Sequence, residues 1–494
     1  MLATFFMFGI YINIIYLKIT WCEAVFVSSN FFISNRKNQP ISFGQNECGT
    51  SKTYLRSDFD KTFMYYSQDT ICRSNVPINK QEFSSIYRPF TDFINSAKDA
   101  FELIITTGRN FPKFLEFVNN IKKKGVEIPL PKTLITNNGG EIYHLNNPEE
   151  FFKSEHGLEV SSDNPLSIKK REEIKQITNW DGDVIKSKFT TTLKSFGFDV
   201  FDSPINEFSD TYSDTILQQL NRRGYNHQSS PFASVQNDGK LGYNIALCKD
   251  LSNNQEKLNQ IKDSISASIG NSIKFDIKAT PFDSECGNGP SIRILPKVED
   301  EQLDKLYDTK LAVKNILENK TNDLIISSGD NINDLKMLNP FSYLELVDKD
   351  LGTIGNKIVK QEEDIYETST KLLGDSNNQN LTNSLKQASE KRNKLIEEAK
   401  IFLEQNPQIK AKIEELPFIS IAVKQEGTIT PVSNEVREFF AFSPKTLLAE
   451  PDKLLDSVKN AMKIYASQNN KYFNGLTDII KEMLGLGQKV LTKI

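Results

Sequence analysis

Lys52-Thr53-Tyr54-Leu55-Arg56-Ser57-Asp58-Phe59-Asp60-Lys61-Thr62 reads as a β-strand that runs straight into an acidic turn. Far downstream, Gly329-Asp330-Asn331-Ile332-Asn333-Asp334 also follows a strand-like run and is also acidic. Strands that end in carboxylates and alternate with helix-like segments predict a parallel α/β sheet with its reactive groups at the carboxyl edge. In a strand the side chains of Asp58 and Asp60 share a face, because the period is two. Past the strand end the chain turns, and the two can take separate roles. The strand is more polar than a central one usually is, since parallel strands are covered on both faces.

Working outward, these clusters hold enough chemistry to cleave a phosphate ester, and no histidine is required. A carboxylate can attack phosphorus and form an aspartyl-phosphate, which splits one hard step into two easier ones. Phosphate repels an anionic nucleophile, so such chemistry calls for a divalent cation, and Mg²⁺ prefers oxygen ligands. Asp58 would attack, while Asp60 would protonate the leaving alkoxide and then activate water. Between the clusters, Phe101-Glu102-Leu103-Ile104-Ile105 reads as a strand entering Thr106-Thr107-Gly108-Arg109. The Thr107 hydroxyl and nearby backbone N–H groups suit a phosphate oxygen. Lys310, 20 residues before Asp330, opens an apolar-periodic stretch of Leu311, Ala312, Ile316 and Leu317. A lysine there could offset the negative charge of nucleophile and phosphate. Lys297 and Lys305 compete for this role, and Lys310 is preferred on its spacing to Asp330.

These elements, in this order, resemble the haloacid dehalogenase superfamily of aspartate-nucleophile phosphohydrolases. Asp58-Phe59-Asp60-Lys61-Thr62 is similar to its first motif, Thr107-Gly108-Arg109 to its second, Lys310 to its third and Gly329-Asp330…Asn333-Asp334 to its fourth. Ile135-Thr136-Asn137-Asn138-Gly139-Gly140-Glu141-Ile142-Tyr143 is similar to the asparagine-glycine signature of the large-cap branch, subfamily IIB. Sucrose-phosphatase-like and Cof-like sugar phosphatases belong to that branch. The resemblance implies a doubly wound, Rossmann-like parallel-sheet core with an inserted α+β cap. It also implies a Mg²⁺-dependent phosphatase acting on a small phosphorylated metabolite such as a sugar phosphate. Asp58, Asp60 through its backbone carbonyl, and Asp330 would bind Mg²⁺, with Asp334 supporting the site. Thr107 and Lys310 would hold the phosphoryl group. Two rival readings stay open: an exported non-enzymatic interaction protein on the same scaffold, and a phosphotransferase or mutase.

Patterning divides the chain. Residues 51–143 and 300–357 are the expected core, 144–299 the cap, and 358–494 a mainly helical C-terminal extension. In the core, Phe90, Phe93, Ile94 and Ala97 share one helical face, and Phe114, Leu115, Val118 and Ile121 another. Trp180-Asp181 is similar to a stretch in sucrose-phosphatase-like caps but reads as packing. In the extension, Ser384 to Leu403 is charged and helix-favouring, and Phe418-Ile419-Ser420-Ile421-Ala422-Val423 carries a strand signal. The amphipathic segment holding Leu476, Ile479, Ile480, Met483, Leu484, Val490 and Leu491 suits docking on the core, a protein partner or a membrane, with core docking as the default.

Composition narrows the function classes. A net charge of −4 offers no basic footprint for nucleic acid. Three histidines, His144, His156 and His227, lack metal-ligand spacing. Residues 1–24 are apolar up to Leu17, with Cys22-Glu23-Ala24 as a small-x-small site, and read as a secretory signal peptide. The expected location is therefore periplasmic or secreted, with an uncleaved membrane anchor as the alternative. Residues 25–50 read as a linker. Loss of Cys22 with the signal leaves Cys48, Cys72, Cys248 and Cys286, an even number that permits disulfides.

Overall fold

A computed structural model describes residues 51–59, 62–64, 80–107, 111, 114, 118–119, 121–122, 125, 127–136, 141–145, 165–202, 231–237, 241–247, 254–280, 290–298, 301–302, 305–374, 376–424, 428–469, 472 and 476–486. The expected signal peptide 1–24, the linker 25–50, Asp60, Gly108, Arg109, Leu115, the Asn137–Gly140 signature, Val490, Leu491 and all five cysteines lie outside the described residues.

The core opens with β1 (Thr53–Asp58), β2 (Phe101–Thr106), β3 (Thr133–Thr136) and β4 (Glu141–His144). A second region carries β5 (Asp199–Asp202), β6 (Phe232–Asn237), β7 (Tyr243–Leu247), β8 (Phe275–Thr280), β9 (Ser291–Val298) and β10 (Glu301–Gln302). The chain then returns to the core with β11 (Leu324–Gly329), β12 (Phe418–Val423) and β13 (Thr446–Ala449). Among the described residues the core sheet has seven strands in the order β13-β12-β11-β1-β2-β3-β4. Every neighbouring pair is parallel except β3–β4, which closes one edge antiparallel. This is the expected α/β architecture with a parallel-rich sheet. The chain winds away from β1 through β2 and β3 on one side and through β11, β12 and β13 on the other. The order reverses between β1 and β11, where open α/β sheets form their crevice.

Central burial dictates the strand sequences. β11 (Leu-Ile-Ile-Ser-Ser-Gly) and β12 (Phe-Ile-Ser-Ile-Ala-Val) are buried along their length and read as apolar runs. β1 is equally buried although it carries Thr53, Arg56 and Ser57. Each polar group meets a partner from another element. Thr53 Oγ1 lies 2.6 Å from the Tyr472 hydroxyl. Arg56 donates to the Asp308 carbonyl at 2.5 Å, and Ser57 accepts from the Ser328 hydroxyl at 2.8 Å. These hydrogen bonds offset part of the penalty of burying polar groups. At the opposite end of the sheet Lys52 donates to Glu102, which also accepts from Thr133. The helix Lys80–Ser96 buries Phe83, Tyr87, Phe90 and Phe93 against the sheet, with Ala97 just beyond it in the same cluster and Ile94 partly buried there.

The region expected as a cap has, among the described residues, its own sheet, ordered β10-β9-β7-β6-β5 with β8 on β9, and its own hydrophobic cluster. Its described helices are Pro165–Thr178, Gly182–Ser195 and Gln255–Ile269. Trp180 is packing, as expected: it is buried in that cluster and stacks on Tyr243. Asp181 accepts from the Val184 N–H and caps the following helix. The cap hairpin continues through β10, so it ends after the expected boundary at 299.

The boundary at 357 is corrected more deeply. Residues beyond it are not simply an appended helical extension, because β12 pairs with β11 and β13 with β12 in the core sheet. What separates β11 from β12 is a helical hairpin, Lys349–Gly374 and Gln379–Gln405. The exposed face expected on the second helix is seen, with Glu390, Lys391, Lys394, Glu397 and Glu398 in solvent and Arg392, Ile396, Ala399 and Leu403 buried. The final segment docks on the core through Leu476, Ile480 and Leu484. Among the described residues no helix is long and apolar enough to cross a membrane.

A buried ion cluster ties the hairpin down. Arg392 donates to Glu362 at 2.8 Å and to Glu435 at 2.6 Å, and the Ser433 hydroxyl donates to Glu362 at 2.9 Å. Removing one partner of such a pair strands a buried charge, whereas replacing both with apolar groups often does not. Arg392→Met is therefore expected to cost about 3–5 kcal/mol in urea denaturation. The double variant Arg392→Met/Glu362→Met should recover most of that loss. A single-variant cost below about 1 kcal/mol would show that the cluster adds little.

Candidate active site

Asp58 is the last residue of β1 and Gly329 the last of β11, so Asp58 and Asp330 emerge side by side at the carboxyl edge. After Asp58 the chain turns sharply: Phe63 N–H donates to the Asp58 carbonyl and Met64 N–H to that of Phe59. Phe59 and Phe63 anchor this turn in the aromatic core, with Phe59 edge-on to Phe114 at 4.8 Å and Phe63 tilted on Phe90 at 5.4 Å. The turn brings Thr62 back, and its hydroxyl donates to Asp330 Oδ1 at 2.9 Å. The first and fourth motifs are thus joined directly.

Asp334 lies in the first turn of the helix Ile332–Leu338. Its Oδ2 accepts from the N–H groups of Asp330 and Asn331 at 3.1 and 3.4 Å. Together with the Asn331 cap this satisfies the open end of the helix. The approach is tight: a Cβ on Gly329 would sit 2.4 Å from the Cβ of Asp334, so only glycine fits there. Carboxylate oxygens of Asp58, Asp330 and Asp334 lie within 4.8 Å of one another.

Lys305, not Lys310, reaches this cluster. Lys305 Nζ lies 2.5 Å from Asp58 Oδ1 and 2.5 Å from Asp334 Oδ1. Lys310 pairs instead with Glu345 at 2.7 Å. The reason is helical geometry. The helix begins at Lys305, and Lys310 is five residues on, about 140° around the axis and roughly 7.5 Å along it. Two contacts fix the register. Arg56 and Asp58 share a face of β1, while Lys305 and Asp308 lie one turn apart on the helix. Arg56 holds the Asp308 carbonyl and Asp58 holds Lys305. Burial alone would lower the Lys305 pKa, but Asp334 and Asp58 outweigh it and hold the ammonium above the ordinary lysine value.

Thr107 sits at the same edge, one residue past the Asp58–Thr106 register pair, with its N–H donating to the Ile135 carbonyl at 2.9 Å. Its side chain is buried. The structure therefore gathers Asp58, Asp330, Asp334 and Lys305, and puts Thr107 on the adjoining strand. Thr62 was the residue sequence reasoning passed over, although it stands within the quoted first motif. The described members carry three negative charges against one positive, and all the acidic donors are hard oxygens. That set suits a divalent cation such as Mg²⁺. Asp334 spends one oxygen on Lys305 and the other on backbone N–H groups, which makes Asp58 and Asp330 the better direct ligands.

No protein-family model matches the chain, and no curated protein matches it by sequence. Among solved structures the chain is similar to yhjK, a haloacid dehalogenase-like hydrolase protein from Bacillus subtilis, with 14% identity and a TM-score of 0.29 over 58% of this chain and 82% of that one. It is also similar to the C-terminal domain of a trehalose synthase regulatory protein from Candida albicans, with 10% identity and a TM-score of 0.27 over 62% of this chain and 83% of that one. At these scores neither likeness decides a function.

Proposed function

We propose that the protein is a Mg²⁺-dependent phosphomonoester hydrolase of the haloacid dehalogenase type, working through an aspartyl-phosphate on Asp58. The observation that carries this reading is the convergence of Asp58, Asp330 and Asp334 on Lys305 at the β1/β11 edge. Mg²⁺, held by Asp58 and Asp330, would neutralise phosphate charge and orient the phosphoryl group. Asp58 attacks phosphorus, and the bond to the ester oxygen breaks. Asp60, assigned through the first motif alone, gives its proton to the leaving alkoxide. The Asp60 carboxylate then takes a proton from water, which attacks phosphorus and frees Asp58 and inorganic phosphate. Lys305 keeps its charge throughout and offsets that of the phosphoryl oxygens. Thr107 would donate to one of them. Asp334 holds Lys305 and the loop in position.

The substrate class, a small phosphorylated metabolite such as a sugar phosphate, comes from the motif resemblance. With residues 1–24 read as a signal peptide, the reaction is assigned to an exported protein. Phosphate release from p-nitrophenyl phosphate and a sugar-phosphate panel tests the reading. Release should need Mg²⁺, drop at least 100-fold in EDTA and return on adding Mg²⁺ back. Metal-independent release, or none from well-folded protein, would overturn it. Transfer of phosphate to an added alcohol rather than water would favour the phosphotransferase instead.

A further inference from the structure

One row of the core sheet runs Ile105, Ser57, Ser328 and Ile421 across β2, β1, β11 and β12. Two residues earlier on each strand, the row Leu103, Leu55, Ile326 and Ile419 is wholly apolar. All four of these, with Ile105 and Ile421, belong to the main hydrophobic cluster. Register partners in parallel strands share a face, so Ser57 and Ser328 stand in the middle of an apolar layer. Both are completely buried. Packing needs no hydroxyl there, and burying one costs free energy unless it is hydrogen-bonded. The two hydroxyls form a directed chain. Ser328 donates to Ser57 Oγ at 2.8 Å, and Ser57 donates to the Asp58 carbonyl at 2.8 Å. The Phe63 N–H reaches the same carbonyl at a longer 3.3 Å.

β1 ends at Asp58 and the chain turns there, so the peptide that leaves Asp58 sits at a bend. The orientation of that peptide sets the direction of the Asp58 Cα–Cβ bond. A nucleophile in phosphoryl transfer must stand in line with the leaving oxygen, and small misplacements are costly. We propose that Ser57 is a positioning residue for the nucleophile: its hydroxyl, oriented by that of Ser328, pins the Asp58 carbonyl and so aims the carboxylate. This rests on the phosphatase reading. It also accounts for the strand pair that carries the chain, because β1 and β11 are the strands that end in Asp58 and lead into Asp330. One hydroxyl from each locks the two together just behind the site.

The test compares wild type with Ser57→Ala, Ser328→Ala and the double variant, as full chains turning over p-nitrophenyl phosphate in saturating Mg²⁺. Ser57→Ala should lower kcat and kcat/KM together by roughly tenfold, with KM within about twofold of wild type. Ser328→Ala leaves the Ser57 hydroxyl in place and should lower kcat by about threefold. The double variant should be no slower than Ser57→Ala, because Ser328 acts through Ser57. Ser420→Ala is the control. It removes an equally buried hydroxyl from β12, one that meets the Lys445 carbonyl and Thr446 instead, and should leave kcat within about twofold of wild type. If Ser57→Ala keeps the kcat of an active wild type, the inference fails and the phosphatase reading stands. The inference also fails if the two single losses multiply in the double variant, or if Ser420→Ala loses as much as Ser57→Ala, because the serines then act through stability. If wild type releases phosphate from no substrate, both fail together.

Discussion

Asp58→Asn is expected to abolish phosphate release, with kcat falling by roughly 10⁴-fold or more, as for loss of a covalent nucleophile elsewhere. The change is close to isosteric. It leaves β1 intact, and the amide oxygen can still accept from Lys305, which keeps its second partner Asp334. A loss of activity therefore reports chemistry rather than folding, and an unchanged urea midpoint would confirm the separation. The intermediate gives a more direct readout. Acid quenching of wild type during turnover of labelled substrate should trap a base-labile acyl-phosphate, and the variant should trap none. Activity within tenfold of wild type would move the nucleophile away from Asp58.

The acidic half of the site was legible in the sequence because the chemistry dictates both residue type and position. Asp58 and Asp330 were expected as carboxylates at the carboxyl ends of strands, and Asp58 ends β1 while Asp330 follows β11 directly. The lysine was legible only as one of three candidates, since apolar periodicity marks a helix only where its buried face is apolar. Here the first turn and a half buries Lys305, Asp308 and Thr309 along with Leu306. The pattern surfaces only with Leu311 and Ala312, so the helix reads as starting at Lys310. The polar residues of β1 looked unusual for a central strand because their partners, such as Asp308, Ser328 and Tyr472, lie far along the chain. The strand at Phe418–Val423 was visible, but its place in the sheet was not. The intervening hairpin separates it from β11, and a local pattern says nothing about pairing across such an insertion.

Lys305→Met and Lys310→Met separate the two lysines, and the expected contrast is large. Lys305→Met should lower kcat/KM by roughly 10³-fold, the scale seen when one preorganised charge-stabilising group is removed. Lys310→Met should change it less than threefold, since its pair with exposed Glu345 lies outside the acidic cluster and is worth about 1 kcal/mol or less. The first variant also predicts a pH effect. Without the ammonium, Asp58 and Asp334 face each other with no cation between them. Two such carboxylates raise the pKa of one. The deprotonated nucleophile then becomes scarcer at a given pH, so the acid limb of the residual activity should move to higher pH. In wild type the raised Lys305 pKa keeps the ammonium charged well above neutrality, so its contribution is fully present at pH 7 and is lost only at alkaline pH. A pH profile of kcat/KM for wild type and both variants measures all of this. Equal losses in the two variants, or a greater loss in Lys310→Met, would return the third-motif role to Lys310 and leave the Asp58–Lys305–Asp334 bridge a structural ion pair.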